Sequence, residues 1–439
     1  MGLFGSIFKK KKRIAVIGLD GVPHSFLLKR MKDGTMPFLK KLVDSGGHFQ
    51  RMNSVIPTIS SVAWSTFMTG KDCSGHGIFG FIDRHEDPFK MYIPLAKNMR
   101  AETLWEYLSK KDKRVFVMNV PVTYPPKKVN GTLIAGFLCT DINKSAYPAK
   151  VAEELKDLDY IIDADAWLAR ESKDKFMDQL FKVLEKRFEV MTHFYKKEKW
   201  DFFQCHIMDT DRLSHFFWKE YESGSGKFHD EFIRFFKVID NELEKFSKLM
   251  RKDDTLMILS DHGFCLAEKE FYINKWLQDE GYLKFDNADP KNIEDMSPDS
   301  KAYSLIPGRV FINLKDREEK GSVAPSDYEG LRDELIQKIK KIKDPETGEE
   351  FIKNVFKREE IYDGEFIDDV ADLIVIPRDG IDVKGNVNKS KLLEEGFISG
   401  MHTYHDAFLY LNKELGDFKV DSIRDCFDLI INLLEVNEK

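Results

Sequence analysis

The sequence predicts an α/β fold, a doubly wound, mostly parallel sheet with an α+β cap-like insertion. Three observations predict it. Short, nearly continuous apolar runs recur along the chain, as expected of parallel strands covered on both faces. Amphipathic helical stretches lie between them. A more polar, irregular segment over 268–399 then interrupts the pattern.

The first apolar run is residues 13–19 (RIAVIGL), which ends in Asp20-Gly21. The second is 115–120 (VFVMNV). The third, 201–208 (DFFQCHIM), runs into Asp209 and Asp211. The fourth, Thr255–Leu259 (TLMIL), ends in Ser260-Asp261-His262-Gly263. A shorter strand-like piece at 54–56 precedes a helical pattern that starts within 57–70. Phe176, Leu180, Leu184, Phe188 and Met191 recur at helical spacing, and Phe232, Phe235, Phe236, Ile239, Leu243 and Phe246 trace another helix face. Within the polar segment, strand-like pieces at 309–314 and 372–376 accompany a helix near 328–342. The expected organisation is a flexible basic segment over 1–12, a core over 13–267, a cap-like elaboration over 268–399, and a return to the core over 400–439 ending in a helix.

Composition excludes several classes. The chain has 439 residues, long enough for one large elaborated domain or two to three smaller ones. Hydrophobic residues make up 42%, which excludes global disorder. Lys and Arg number 68 against 75 Asp and Glu, a net charge of −7, unlike the basic excess of a duplex-DNA binder. No apolar run approaches the roughly 18 residues of a membrane-spanning helix. Cys73, Cys139, Cys205, Cys265 and Cys426 are odd in number and form no CxxC pair. A disulfide scaffold and a cysteine zinc site are therefore not expected, and a reducing, cytoplasmic compartment is. The start of the chain, apolar to Phe8 and then basic over 9–13, reads as a lead-in to the first strand. It is also the chain's candidate for weak contact with an anionic membrane surface, and Gly2 and Ser6 match an N-myristoylation pattern in form. The glycines of 222–227 lack P-loop spacing.

In an open parallel sheet, ligands bind beyond the carboxyl ends of the strands. Three strand signals here end in chemistry-bearing groups: Asp20, then Asp209 through Asp211 to His215, then Asp261-His262. Near the end, His402 and His405 add two imidazoles. Carboxylates crowded at one sheet edge repel each other, and divalent ions are the usual remedy. A mixture of Asp and His suits Zn²⁺, Mn²⁺ or Fe better than Mg²⁺ or Ca²⁺. A nucleophile candidate lies in 57–70 (PTISSVAWSTFMTG), where a hydroxyl at a helix N-terminus would face free backbone N–H groups and the positive dipole end. The competing reading is that Thr58 or Ser60 simply caps that helix.

Taken together, these motifs resemble the type I phosphodiesterase and nucleotide pyrophosphatase family of the alkaline phosphatase superfamily. The residues that carry the resemblance are Gly18-Leu19-Asp20-Gly21, 57–70 followed by His76-Gly77, Asp211-Arg212-Leu213-Ser214-His215, Ser260-Asp261-His262-Gly263 and Gly400-Met401-His402. Two later segments, 307–314 and 358–362, resemble it as well. The resemblance implies an alkaline phosphatase-like core and two divalent metal ions, Zn²⁺ first and Mn²⁺ second. One ion would be held by Asp20, Asp261, His262 and the nucleophile, the other by Asp211, His215 and His402. The nucleophile would be Ser60, with Thr58 and Ser61 as fallbacks; Asp209 rivals Asp211, and His405 rivals His402. The implied reaction is hydrolysis of a small phosphorylated substrate through a phosphoserine, with metals roughly 3.5–4 Å apart clamping an in-line displacement.

The pattern also departs from the family. Phe81 stands where nucleotide pyrophosphatases carry an Asn that contacts a phosphate oxygen, and Ser61 stands where they carry a base-stacking aromatic. Both departures count against a specificity for nucleotides. The Pro-x-Arg that follows a sulfatase nucleophile is missing after Ser60. A phosphomonoesterase or phosphomutase on the same scaffold is the alternative, with Arg84, Arg212 and Arg309 as candidate cations for the extra phosphate charge. A non-catalytic metal-binding protein is the third reading.

Overall fold

The structure, a computed structural model, describes residues 12–436. The expected basic lead-in and its membrane contact lie outside the described residues except for Lys12, which pairs with Glu435 at 2.6 Å, and Arg13, which pairs with Asp254. Among the described residues, no helix is long and apolar enough to cross a membrane.

Apolar runs become the centre of an eight-stranded sheet. In spatial order its strands are His48–Met52, Ala407–Leu411, Thr255–Leu259, Ile14–Leu19, Phe202–Ile207, Val115–Met118, Gly131–Ile134 and Ala146–Tyr147. The five from Thr255–Leu259 to Gly131–Ile134 pair in parallel. The strands at both margins pair antiparallel. Every residue of Ile14–Leu19 and Phe202–Ile207 is buried, which is why these segments read as unbroken apolar runs.

Helices cover both faces. The long Lys173–Lys197 and Lys227–Ser247 helices carry the predicted apolar stripes and bury them against one face. The Ser60–Thr69 helix and the C-terminal Cys426–Leu433 helix cover the other. One local expectation fails. The strand before the Ser60 helix is His48–Met52, not residues 54–56. It is a half-exposed edge strand held by antiparallel pairing to Ala407–Leu411, a partner more than 350 residues away, so its own sequence shows little alternation.

The segment between the fourth and last core strands builds a second sheet, ordered Ala302–Leu305, Arg309–Ile312, Leu373–Pro377, Ile352–Lys357. The Tyr328–Ile339 helix packs on it. Its apolar side chains form a separate cluster that also takes in Val62, Phe79 and Phe89 from the first part of the chain. This second layer stands beside the carboxyl ends of the parallel strands, where Ile306, Pro307 and 374–384 form one wall of a cavity.

Candidate active site

Each functional side chain is delivered by a strand end or helix start. Asp20 directly follows the Ile14–Leu19 strand. Gly21 then turns back at φ 67°, and its N–H donates to Asp261 Oδ1 at 3.1 Å. A Cβ at Gly21 would sit 2.7 Å from the Phe264 ring and 3.0 Å from His262, so glycine is required there both by conformation and by space. The Phe202–Ile207 strand leads into the Asp209–Glu222 helix, which sets Asp211 and His215 one turn apart. Asp261 and His262 precede the Gly263–Leu266 strand, whose antiparallel partner is Gly400–Thr403. That pairing places Phe264 opposite His402 and stacks the His402 ring on His262 with centroids 3.6 Å apart.

Ser60 is the first residue of its helix. Ile59 is the N-cap and offers no side-chain cap, so the Ser60 hydroxyl does not serve as one. Ser60 Oγ donates to Asp20 Oδ1 at 3.2 Å and lies 3.2 Å from His262 Nε2. The fallback hydroxyls are engaged elsewhere: Thr58 donates to the Val55 carbonyl at 2.8 Å and Ser61 to the Gly80 carbonyl at 3.0 Å.

Around Ser60 the acidic and imidazole groups converge. Ligand atoms of Asp211, His215 and His402 lie within 4.8 Å of one another, and so do those of Asp20, Asp211 and His262. Asp261 joins through Oδ2, which is 3.3 Å from His262 Nε2 and is buried without a hydrogen bond. The rivals do not join. Asp209 is buried in an ion pair with Arg187 at 3.2 Å, and His405 is exposed, 3.0 Å from Asn53 Oδ1.

The imidazoles show what the cluster is built to hold. Each Nδ1 faces a backbone carbonyl: His215 that of Gly400 at 2.9 Å, His262 that of Gly263 at 2.9 Å, and His402 that of Thr58 at 3.2 Å. Nδ1–H therefore donates outward and Nε2 keeps a lone pair toward the cluster, the tautomer of a metal ligand. His215 Nε2 and His402 Nε2 then face each other at 3.0 Å, with Asp211 Oδ1 3.3 and 3.2 Å away. Two ring nitrogens this close beside Asp211 offer a shared seat for a cation, and the orphaned Asp261 oxygen offers a further ligand atom. The residues present thus fit divalent ions.

The three site carboxylates are perturbed in different directions. Burial would raise the Asp20 carboxyl, but its imidazole neighbours, His206 first, outweigh it and hold it well below the usual carboxylate range. Asp211 is likewise depressed, burial being outweighed by His215 and His402. Asp261 moves the other way, raised by burial and by the neighbouring Asp20 charge.

Sequence reasoning missed the support behind Asp20. Its Oδ2 lies 2.8 Å from His206 Nε2 and accepts from Trp64 Nε1 at 2.9 Å. That leaves Oδ1 to face Ser60. The available signal was a histidine inside the buried run 201–208, a polar group with no reason to sit in a strand unless it has a partner. His76 is not a ligand. The Ile78 N–H donates to its Nδ1 at 3.1 Å, its Nε2 is 3.2 Å from the Thr66 hydroxyl, and burial pushes its pKa down to about 3. Of the three arginine candidates, Arg84 is held by Glu318 at 2.8 Å and Arg309 by Asp83 at 3.4 Å, both in buried structural pairs. Arg212 alone lines the cavity.

A doubly wound sheet with carboxylates and imidazoles gathered at the carboxyl ends of its parallel strands defines the alkaline phosphatase-like class. The chain belongs to the type I phosphodiesterase / nucleotide pyrophosphatase family, whose model matches residues 14–405. Members of that family are phosphoric ester hydrolases, and this chain is one by that membership. The structure is similar to phosphonoacetate hydrolase from Sinorhizobium meliloti 1021 in complex with phosphonoformate, at 15% identity, 97% of this chain, 96% of that one and a TM-score of 0.68. It is also similar to murine ectonucleotide pyrophosphatase / phosphodiesterase 5, at 13% identity, 97% and 95% coverage and a TM-score of 0.56. The human form of that protein gives 13%, 98%, 96% and 0.57. No curated protein matches the chain by sequence.

Proposed function

We propose that the protein is a metal-dependent phosphodiesterase or pyrophosphatase of small phosphorylated substrates, with Ser60 as nucleophile between two divalent ions. The observation that carries this reading is the convergence of three lone-pair-bearing Nε2 atoms and three aspartates around the Ser60 hydroxyl. Asp20, Asp261, His262 and Ser60 would hold one ion, and Asp211, His215 and His402 the other. The mixed nitrogen and oxygen donors suit Zn²⁺, with Mn²⁺ next. Bound there, the ions would offset the carboxylate charge, lower the pKa of the serine hydroxyl and stabilise charge on the phosphoryl oxygens.

The chain's own groups supply the rest. Ser60 Oγ attacks phosphorus; the Oγ–P bond forms as the bond to the departing oxygen breaks. Water then attacks the phosphoserine from the opposite side and returns Oγ. The start of the Ser60–Thr69 helix directs backbone N–H groups toward the phosphate. His206 and Trp64 hold Asp20 in one orientation throughout. All five cysteines are free thiols, four of them buried, which supports a reducing, cytoplasmic setting.

The test is turnover of bis-p-nitrophenyl phosphate with Zn²⁺ or Mn²⁺ added, together with metal content. Ser60→Ala should abolish turnover, whereas Thr58→Ala and Ser61→Ala should retain it. Survival of activity in Ser60→Ala would remove the nucleophile assignment. Faster turnover of p-nitrophenyl phosphate would make the enzyme a monoesterase.

A further inference from the structure

A cavity of about 520 Å³ opens directly from Ser60, Asp211, His215 and His402. Its size is that of a small-molecule site. Away from the acidic and imidazole cluster its wall is largely apolar, built from Ile59, Phe81, Phe137, Phe216, Ile306 and Ile376. Phe81 and Phe137 lie nearly parallel, with centroids 5.6 Å apart and planes 20° apart. The chain holds Phe137 there despite an unfavourable neighbour: Leu138 sits at φ 75°, a left-handed conformation that leucine rarely adopts.

Several polar side chains on this wall are already engaged. Thr58 and Ser61 donate to backbone carbonyls. Arg212 grips Asp163 with two hydrogen bonds of 2.6 and 3.2 Å while its guanidinium lies 4.8 Å from the Phe137 ring centre. Arg378 donates to Glu268 at 2.7 Å. A nucleobase entering here would lose water from its N–H and C=O edges and find few partners in return. An apolar group has nothing of the kind to lose.

The apolar surface continues to the outside. Trp167 is 71% exposed and Phe397 43%, and both flank Arg170, whose guanidinium lies 5.5 Å and 4.3 Å from their ring centres. Trp167 and Arg170 line the cavity, and Phe397 packs on Phe216 of its wall. Large exposed aromatics are uncommon on a folded surface, and these two lie where a substrate would enter.

We propose that this cavity selects phosphate esters carrying an apolar organic group, aryl or alkyl, over nucleotides, with Phe81 and Phe137 as the residues that set the preference. The inference rests on the phosphodiesterase reading above and names the substrate class of that site. The experiment compares three diesters sharing one leaving group: phenyl, methyl and thymidine-5′ p-nitrophenyl phosphate. The metal-loaded enzyme should give the phenyl ester at least a tenfold higher kcat/KM than either of the others. Phe81→Asn and Phe137→Ala should each cut the phenyl-to-methyl ratio several-fold, mainly through KM. Thermal melts check that both variants are folded. A ratio near one, a thymidine ester that is fastest, or a ratio unchanged in both folded variants overturns the inference. If no diester is turned over, the phosphodiesterase reading fails, and calorimetry with phenyl phosphate and thymidine 5′-monophosphate decides the inference. Tighter phenyl phosphate supports it; equal or weaker binding overturns it.

Discussion

The cap sheet and the carboxyl ends of the core strands both bury charge, but they treat it in opposite ways. In the cap, each buried carboxylate has a cation from the chain. Asp372 receives Arg317 at 2.7 Å together with the Ile312 N–H and the Tyr328 hydroxyl, and Glu318 receives Arg84 at 2.8 Å. At the core strand ends, Asp20, Asp211 and Asp261 are equally buried and face histidines and one another. Arg212 is the nearest guanidinium, and it stands 3.7 Å from Asp211 while hydrogen-bonding Asp163 instead. Folding thus completes the electrostatics of the cap and leaves those of the site for a ligand to complete.

The largest effects should come from the site. Chelation should abolish phosphodiester turnover, and Zn²⁺ or Mn²⁺ should restore it; activity that resists a chelator would break the contrast outright. Asp211→Asn should lower kcat/KM by about a thousandfold or more, because Asp211 belongs to both ligand groupings, and should reduce bound metal. Asp372→Asn in the cap should leave metal content alone but cost about 3–5 kcal/mol in chemical denaturation, the usual result of stripping one partner from a buried pair.

Smaller effects sharpen the sign. Asp261→Asn should stabilise the metal-free protein modestly, since it removes a carboxyl whose pKa is raised by burial and by Asp20. A loss of metal-free stability would show that Asp261 already has its countercharge. Acid should separate the regions as well. Burial raises Asp372, but Arg317 outweighs it and leaves the pKa depressed, so its contribution is present above the ordinary carboxylate pKa and lost as pH falls through the folded value. Asp261, with a raised pKa, contributes the reverse slope: full below the ordinary value and lost as pH rises through the folded one. Melting curves of the metal-free D372N and D261N proteins across pH 3–8 would read the two slopes.

The core was legible because its physics is local. Residues 13–19, 201–208 and 255–259 are buried on both faces, so each announces itself as an apolar run, and the chemistry follows directly at Asp20, Asp211 and Asp261-His262. His402 was visible only through its motif. What places it is the antiparallel pairing of Gly400–Thr403 with Gly263–Leu266, a contact between segments more than 130 residues apart. The edge strand His48–Met52 was misplaced for the same reason. His206 and Trp64 were not legible as supports of Asp20, because a donor 186 or 44 residues away leaves no local trace. The cap topology was illegible beyond fragments, since the strands of its four-stranded sheet are short, antiparallel and out of sequence order.

The ligand candidates span positions 20 to 402, and the strand after the last of them inserts between His48–Met52 and Thr255–Leu259. A ribosome-bound chain ending before Gly400 could present Asp20, Ser60, Asp211, His215, Asp261 and His262 but not His402, the imidazole that opposes His215. Loading would then have to wait until the chain has been made as far as His402, and a cation seated across segments so distant would act as a clasp, raising resistance to unfolding with the logarithm of its free concentration.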